Sequence, residues 1–168
     1  MILTLFLAVV FCAAMAMMLF AAVAFIQNNK FFSTAPKEAR EVLIQRDKEL
    51  FYGARTIGWT LMFISILMIL GVVIIAVWDG LRSQFTFWQF FMRFILILII
   101  YKLCDMALID NFLLLKFHFF QYYYPEAADV MDGRKYGFNI RSQLLKLFII
   151  FPGLSALTAW ICTLIAGK

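Results

Sequence analysis

Charged residues are scarce in this chain, since Asp, Glu, Lys and Arg together make up 15% of its 168 residues. A soluble domain of ordinary composition has about a quarter. Apolar side chains take their place and account for 65% of the sequence, more than a soluble fold of this length could remove from water. The composition therefore predicts an integral membrane protein. It leaves no room for a separate soluble domain, and we expect a single domain over residues 1–168.

Residue types that build common enzyme sites are also rare. The chain has one histidine, His118, and it has no phosphate-binding glycine-rich loop and no HExxH or GxSxG motif. The three cysteines, Cys12, Cys104 and Cys162, lie far apart in apolar stretches, and their number is odd. They predict neither a disulfide framework nor a metal site. We therefore expect no metal, no cofactor and no conventional catalytic residue.

Four long apolar runs dominate the sequence, over residues 1–26, 57–78, 90–120 and 144–166. Each reaches the roughly 20 residues that an α-helix needs to cross a bilayer. Backbone groups in lipid must pair within their own segment, which favours helices over isolated strands. The first run lacks the basic start of a signal peptide and exceeds the usual length of its apolar part, so we expect a retained helix. The predicted fold class is all-α, with four transmembrane helices.

The distribution of Lys and Arg predicts the orientation in the membrane. Eleven of these residues lie in or beside the two long connecting segments, 27–56 and 117–143, whereas Arg82, Arg93 and Lys168 lie on the other side. Basic residues favour cytoplasmic loops. We therefore predict a multi-pass protein of the plasma (cytoplasmic) membrane, with both segments cytoplasmic and both termini outside. The partner expected for this charge is the anionic head groups of the inner leaflet, not nucleic acid.

A rival topology divides the third run into two short spans, hinged in the segment YKLCDMALIDN at residues 101–111. Such a hinge would place the charged side chains of this segment in a turn that faces water. The segment has no Gly or Pro to form a tight turn, and the hinge would divide Lys and Arg almost evenly between the two sides. A single crossing is therefore favoured.

Charged side chains near the middle of the third run are its most unusual feature. If Arg93 and Lys116 reach opposite membrane faces, then Lys102 and Asp105 lie near the bilayer centre, where each ion costs roughly 2.5–3.5 kcal/mol. Because Lys102 and Asp105 are three residues apart, they predict an intramembrane ionic pair on one helix. Asp110 is about 140° away from Asp105 around the helix. It needs another partner, such as a hydroxyl, water, a cytoplasmic arginine or a second copy of the chain.

The sequence alone leaves two roles open for these charged residues. In the first, the pair is structural and holds its helix against neighbouring helices or within an oligomer. In the second, Asp105, Asp110 and His118 form a site for protons or a polar substrate, because ionisable groups within membranes are candidates for function. These groups come from one run only, whereas relays usually draw groups from several helices.

The first connecting segment contains TAPKEAREVLIQRDKELFYG, residues 34–53, which is typical of an amphipathic helix. Thr34 suits its N-cap, Pro36 its first turn and Gly53 its end. Its apolar stripe consists of Ala39, Val42, Leu43 and Leu50. We predict a cytoplasmic interfacial helix that lies on the inner leaflet. A helix that docks a protein partner would show the same stripe.

Two further patterns predict contacts at the ends and faces of the helices. Residues 117–126, FHFFQYYYPE, are rich in aromatic rings, which favour the membrane interface as a belt. In the fourth run, Ser155, Ala159 and Thr163 recur at four-residue spacing. Small residues at this spacing let membrane helices approach closely, so they predict a packing face.

The function predicted from these features is that of a small, non-enzymatic membrane subunit. It would act through assembly with itself or with a larger membrane protein. The alternative is an oligomeric small transporter or proton-coupled carrier, in which the carboxylates of several copies line a path. A third hypothesis is a membrane enzyme that acts on lipid head groups at the cytoplasmic rim, using His118, Asp110 and the nearby tyrosines.

Overall fold

The computed structural model describes most of the chain, and its described part is helical without strands. The described residues are 1–28, 31, 41–44, 46, 48–107, 116–131 and 140–167. The α-helices are α1 (Ile2–Phe20), α2 (Ala54–Arg82), α3 (Phe87–Cys104), α4 (Phe119–Tyr123), α5 (Ala128–Met131), α6 (Ile140–Leu145) and α7 (Phe151–Ile165). The prediction of an all-α fold is confirmed for these residues.

Shorter helical turns extend or join several of these helices. A π-helical turn, Ala21–Ile26, continues α1, and a second, Lys146–Ile150, precedes α7. The first turn closes where Gln27 takes a left-handed backbone conformation and its N–H donates to the carbonyl oxygen of Ala22 at 3.0 Å. A 3-10 turn, Pro125–Ala127, joins α4 to α5.

The first, second and fourth apolar runs each form a helix that is long and apolar enough to cross a membrane. These helices are Ile2–Ile26, Ala54–Arg82 and Gln143–Ile165, with 25, 29 and 23 residues. Each exceeds the roughly 20 residues that a bilayer requires. The structure therefore supports a membrane protein with three candidate spans among its described residues.

The third run is more complex than one continuous helix in the part that the structure describes. Within it, α3 ends at Cys104, and residues 105–107 form a π-helical turn. His118 then takes a left-handed conformation, with φ 49°, directly before α4. Residues 108–115 lie outside the described residues. The fourth predicted crossing is therefore not confirmed.

The chain divides into two compact units. The first unit contains Met1–Ala14, Leu67–Leu103 and Ile140–Lys168, and the second contains Met15–Ile66 and Cys104–Asn139. Both units include part of α1 and part of α2. The division does not test the prediction of a single domain, which stays a prediction.

The core of the first unit is built where small residues let helices approach closely. Ala8 of α1, Ala76 of α2 and Ala159 of α7 are fully buried there, together with the ring of Phe90 from α3. On α7, Ser155, Ala159 and Thr163 are all buried. The packing face predicted from their four-residue spacing is therefore confirmed.

The connection between α2 and α3 is tight for local reasons that can be read from its residues. Gly80 has no Cβ, and a Cβ at this position would overlap the ring of Phe90. Gln89 caps the start of α3, because its Oε1 accepts a hydrogen bond from the Thr86 backbone N–H at 2.8 Å. The hairpin therefore brings the end of α2 against the start of α3.

In the second unit, the end of α1 packs against the start of α2. Ala21, Ala22 and Ile26 share a buried cluster with Met62. Gly58 permits this approach, because a Cβ there would lie 2.7 Å from Ile26 Cγ1. A separate buried cluster, which we call the aromatic cluster, contains Val23, Phe120, Tyr124 and Ala127.

Candidate functional site

Lys102, the predicted cation of the third run, is enclosed by protein. It lies near the end of α3 and is 3% exposed. Its Nζ lies 6.0 Å from the centroid of the Tyr101 ring, at the edge of the range for a cation–π interaction. Tyr101 in turn makes an edge-to-face contact with Phe11 of α1, with a centroid separation of 5.3 Å. An aromatic environment from two helices therefore surrounds this part of α3.

The other residues predicted for a proton or polar-substrate site lie in different settings. Asp105 is half-buried and begins the π-helical turn after α3. Asp110 lies outside the described residues. His118 is exposed and lies directly before α4. The ionic pair of Lys102 with Asp105 stays a prediction, and so does a site formed by Asp105, Asp110 and His118.

The predicted interfacial helix is not confirmed. Glu41 and Val42 are helical, but the described residues from Leu43 to Gly53 are not. Within the predicted stripe, Val42 and Leu50 are exposed, whereas Leu43 is half-buried and packs against the aromatic cluster. Ala39 lies outside the described residues. Leu43 therefore faces protein, and the position of the segment on the inner leaflet stays a prediction.

An ion pair between a buried arginine and an aspartate that is 30% exposed joins α2 to α3, and it was not predicted from the sequence. Arg93 is 5% exposed, and its Nη2 lies 2.7 Å from Asp79 Oδ2. Its Nη1 donates to the carbonyl oxygen of Ala76 at 2.9 Å. The guanidinium also lies over the ring of Phe85, 4.3 Å from the centroid. Two polar contacts and one ring therefore hold this side chain inside the hairpin.

Arg93 is thus enclosed by its own hairpin, and its position relative to a membrane face stays a prediction. The hairpin can hold it because α2 continues to Arg82, four residues beyond the predicted end at residue 78, and so carries Asp79 within its last turn. A signal for the pair was present in the sequence. Asp79 is the only carboxylate between Glu49 and Asp105, so Arg93 has a single acidic partner available nearby in the chain.

A second ion pair joins the two long connecting segments. Arg46 Nη2 lies 3.0 Å from Glu126 Oε2, across 80 residues of sequence. The other oxygen of the same carboxylate, Oε1, accepts a hydrogen bond from the Ile44 backbone N–H at 3.3 Å. Arg55 Nη2 donates to the carbonyl oxygen of Arg46 at 2.7 Å. The Glu126 carboxylate therefore binds both a backbone N–H and a side chain of the first segment.

Tyr124 lies beneath this ion pair and is fully buried. Its ring stacks on Phe120, with centroids 4.9 Å apart, and the Arg46 guanidinium lies 5.4 Å from its centroid. Burial raises the pKa of the Tyr124 phenol far above its ordinary range, and the nearby Glu126 raises it further, while Arg46 opposes both. The phenol therefore stays neutral near physiological pH.

The two units differ in how their charges are balanced. The first unit has one acidic residue, Asp79, and its basic residues are Arg82, Arg93, Lys102, Arg141, Lys146 and Lys168. The second unit has equal numbers of acidic and basic residues, nine of each. The entire net charge of +5 therefore belongs to the first unit. The nine basic residues of the second unit are among the eleven that predicted the topology, and nine acidic residues of the same unit balance them.

The described residues contain no group of three or more His, Cys, Asp or Glu side chains that could hold a metal ion. Cys12, Cys104 and Cys162 form no disulfide with one another. The two ion pairs and the buried Lys102 are the groups on which the functional argument below rests. No family model, no curated protein and no solved structure matches the chain.

Proposed function

We propose that the chain is a small integral membrane subunit that acts through assembly, with a second copy of itself or with a larger membrane protein. The observation that carries this proposal is the enclosure of Arg93. Its guanidinium is held by the Asp79 carboxylate, the Ala76 carbonyl and the Phe85 ring, all within its own hairpin. A buried ion satisfied in this way fixes the geometry of its helices. The N–H donors of the Arg93 guanidinium join α3 to α2, which supports a structural role for this charged side chain.

The exposed surface of the candidate spans supports assembly in a second way. In the most apolar window of each span, 22% of the residues are buried inside the protein. The other residues of these windows are partly or largely exposed, and their exposed side chains can meet lipid or the helices of a partner. On α2 this surface carries large apolar side chains, namely Phe63, Ile64, Leu67, Leu70, Ile74 and Trp78.

We also propose that the chain crosses the membrane four times, with segments 27–56 and 117–143 cytoplasmic and both termini outside. The Arg46–Glu126 contact supports this topology, because it requires the two segments to share a side. The rival hinge topology would put segment 117–143 on the opposite side. The excess of Lys and Arg around both segments supports the cytoplasmic side. Anionic head groups of the inner leaflet are the lipid partner that this charge favours.

In this proposal, Lys102 and Asp105 form an ionic pair that keeps α3 in register within the assembly. The two residues are three positions apart, which suits a pair on one side of a helix. The 3% exposure of Lys102 supports a requirement for a counter-ion, since an ammonium group removed from water is costly without one.

The same buried lysine favours a second candidate function, an oligomeric carrier for protons or a polar substrate. Ionisable groups within membrane helices are candidates for transport, and Lys102 is such a group in α3. The two functions differ in what they require of Asp105. An assembly needs its charge to hold the complex, whereas a carrier needs it to change protonation during transport.

Co-capture of differently tagged copies from native membranes tests the proposal. We expect wild-type copies to co-purify with each other or with a larger membrane protein, and Asp105→Asn to reduce this recovery. The double variant Lys102→Met, Asp105→Asn should recover part of the loss, because the unpaired charge is the costly state. Lys48→Gln, which removes an exposed cation from the first connecting segment, serves as the control.

If the chain is instead a carrier, we expect the opposite results for the same variants. Asp105→Asn would abolish proton-coupled uptake in proteoliposomes while leaving the recovered complex unchanged. That pair of results would contradict the assembly proposal and support transport.

A further inference from the structure

The contact between the two connecting segments depends on one carboxylate. Glu126 accepts from the Ile44 backbone N–H through Oε1 and pairs with Arg46 through Oε2. We call these three residues the loop latch. Because both polar contacts end on Glu126, a change at this single side chain breaks both at once.

The loop latch closes over the aromatic cluster. The Arg46 guanidinium lies over the ring of Tyr124, and Leu43, next to the latch, packs against the same cluster. Tyr124 and Ala127 are completely buried beneath them. The first segment therefore covers apolar surface that α4, α5 and the turn between them would otherwise expose.

The loop latch holds a non-helical stretch of the first segment. Its described residues from Leu43 onward are not helical, and the Ile44 side chain is 67% exposed. Nearer to α2 in the sequence, Arg55 of that helix donates to the Arg46 carbonyl, and Phe51 makes an edge contact with Phe25. The segment is thus tied to α2 at one end and to Glu126 at the other.

Solvent reaches the loop latch. The Arg46 side chain is 35% exposed and that of Glu126 is 15% exposed. Ion pairs that contact water are weakened by dissolved salt and by competing ions. The contact therefore suits reversible opening.

We propose that the loop latch is a reversible, salt-sensitive closure that keeps the aromatic cluster covered. Release of Glu126 frees the Ile44 backbone N–H and the Arg46 side chain and exposes Tyr124 and Ala127, while the Arg55 contact retains the Arg46 backbone. This inference is independent of the proposed assembly, since it concerns access to one surface and does not require a partner. The loop latch thus gives the aromatic cluster a covered and an uncovered state.

Cysteine accessibility in open membrane fragments tests the latch. The three native cysteines are replaced, and Ala127→Cys places a small probe in the aromatic cluster, where it is fully buried. We expect slow modification of this probe by a water-soluble maleimide in the otherwise unaltered chain. Glu126→Gln should accelerate it by about 5- to 30-fold, the factor that corresponds to the loss of hydrogen bonds to one charged group. High salt should accelerate it in the parent chain and have little effect in Glu126→Gln.

Two controls make this result specific. Glu49→Gln neutralises a carboxylate of the same segment that binds only its own local backbone, at Gly53 N–H, and it should leave the rate unchanged. Tyr122→Cys, at a position that is 80% exposed, should react rapidly in every background.

A charge exchange guards against a Glu126 variant that fails to fold. Arg46→Glu alone should accelerate modification at position 127, and adding Glu126→Arg to the same chain should restore protection. The proposal is overturned if neither single variant accelerates the reaction, if the exchanged pair restores no protection, or if the parent probe already reacts as fast as Tyr122→Cys.

Discussion

Arg93 and Arg46 each meet a carboxylate and an aromatic ring, but they do so in different surroundings. Arg93 is buried between two helices, and its partner Asp79 is the one acidic residue of the first unit. The Arg46 side chain is 35% exposed, and it belongs to a unit with equal numbers of acidic and basic residues. Burial of the arginine and the number of acidic residues that could replace its partner therefore decide what each ion pair does. The first pair fixes a helical hairpin, and the second closes a loop.

The largest effect should follow from neutralising the Arg93–Asp79 pair. Asp79→Asn leaves the Arg93 guanidinium buried without its counter-ion, and we expect a loss of about 3–5 kcal/mol in the free energy of unfolding. Denaturant titration in micelles measures this loss, together with the amount of protein in the membrane. The double variant Asp79→Leu, Arg93→Met should regain much of the loss, since apolar replacement of both partners removes the unpaired ion. A smaller loss for Asp79→Asn than for Glu126→Gln would reverse the comparison.

A smaller effect should follow from crowding the same hairpin. Gly80→Ala would place a methyl group in the Phe90 ring, and overpacking of this kind costs about 1–3 kcal/mol of unfolding free energy. Gly71→Ala is the matched control on α2, because a Cβ there meets no atom within 4 Å. It should stabilise the helix by up to about 1 kcal/mol. Equal effects of the two substitutions would contradict the close approach of α2 and α3.

The Arg46–Glu126 pair should contribute less to the free energy of unfolding. Glu126→Gln removes a charged contact that water partly screens, so we expect a loss of about 1 kcal/mol in the free energy of unfolding. The same titration at low and high salt separates the pairs. Salt should reduce the difference between Glu126→Gln and the parent chain, and it should change the cost of Asp79→Asn much less. Equal salt dependence at both sites would show that solvent exposure does not distinguish them.

The smallest effect near neutral pH should come from Tyr124→Phe, and it should grow only in alkali. Because burial raises the pKa of Tyr124 in the folded chain, the folded state holds this proton more tightly than the unfolded state. Stability from this group is complete below the unfolded pKa of about 10 and falls as the pH rises above it. We therefore expect an alkaline loss of stability that is smaller in Tyr124→Phe. Parallel pH profiles for the two proteins would contradict it.

Much of the fold could be predicted because apolar runs report membrane helices directly. The runs at 1–26, 57–78 and 144–166 became candidate spans, although α2 extends beyond its run at both ends, from Ala54 to Arg82. Hydropathy ends a helix at the first polar residues. The protein instead continues the helix, because Arg93 provides a buried partner for Asp79.

The contacts of the connecting segments could not be predicted in the same way. The Arg46–Glu126 pair spans 80 residues, and several acidic and basic residues in these segments could have paired instead. Of the apolar stripe predicted in residues 34–53, Leu43 packs against protein, whereas Val42 and Leu50 are exposed. The amphipathic pattern did not reveal that Leu43 meets the aromatic cluster of a distant segment, because one stripe fits lipid and protein equally well.

The central claim, that the chain works as part of an assembly, is tested most directly by the mass of single particles in native-lipid nanodiscs. We expect particles that hold at least two copies of the chain, or one copy with a larger membrane protein. In Asp105→Asn, we expect a shift to particles with a single chain. Particles that contain one copy alone in wild-type membranes, at any expression level, would contradict it.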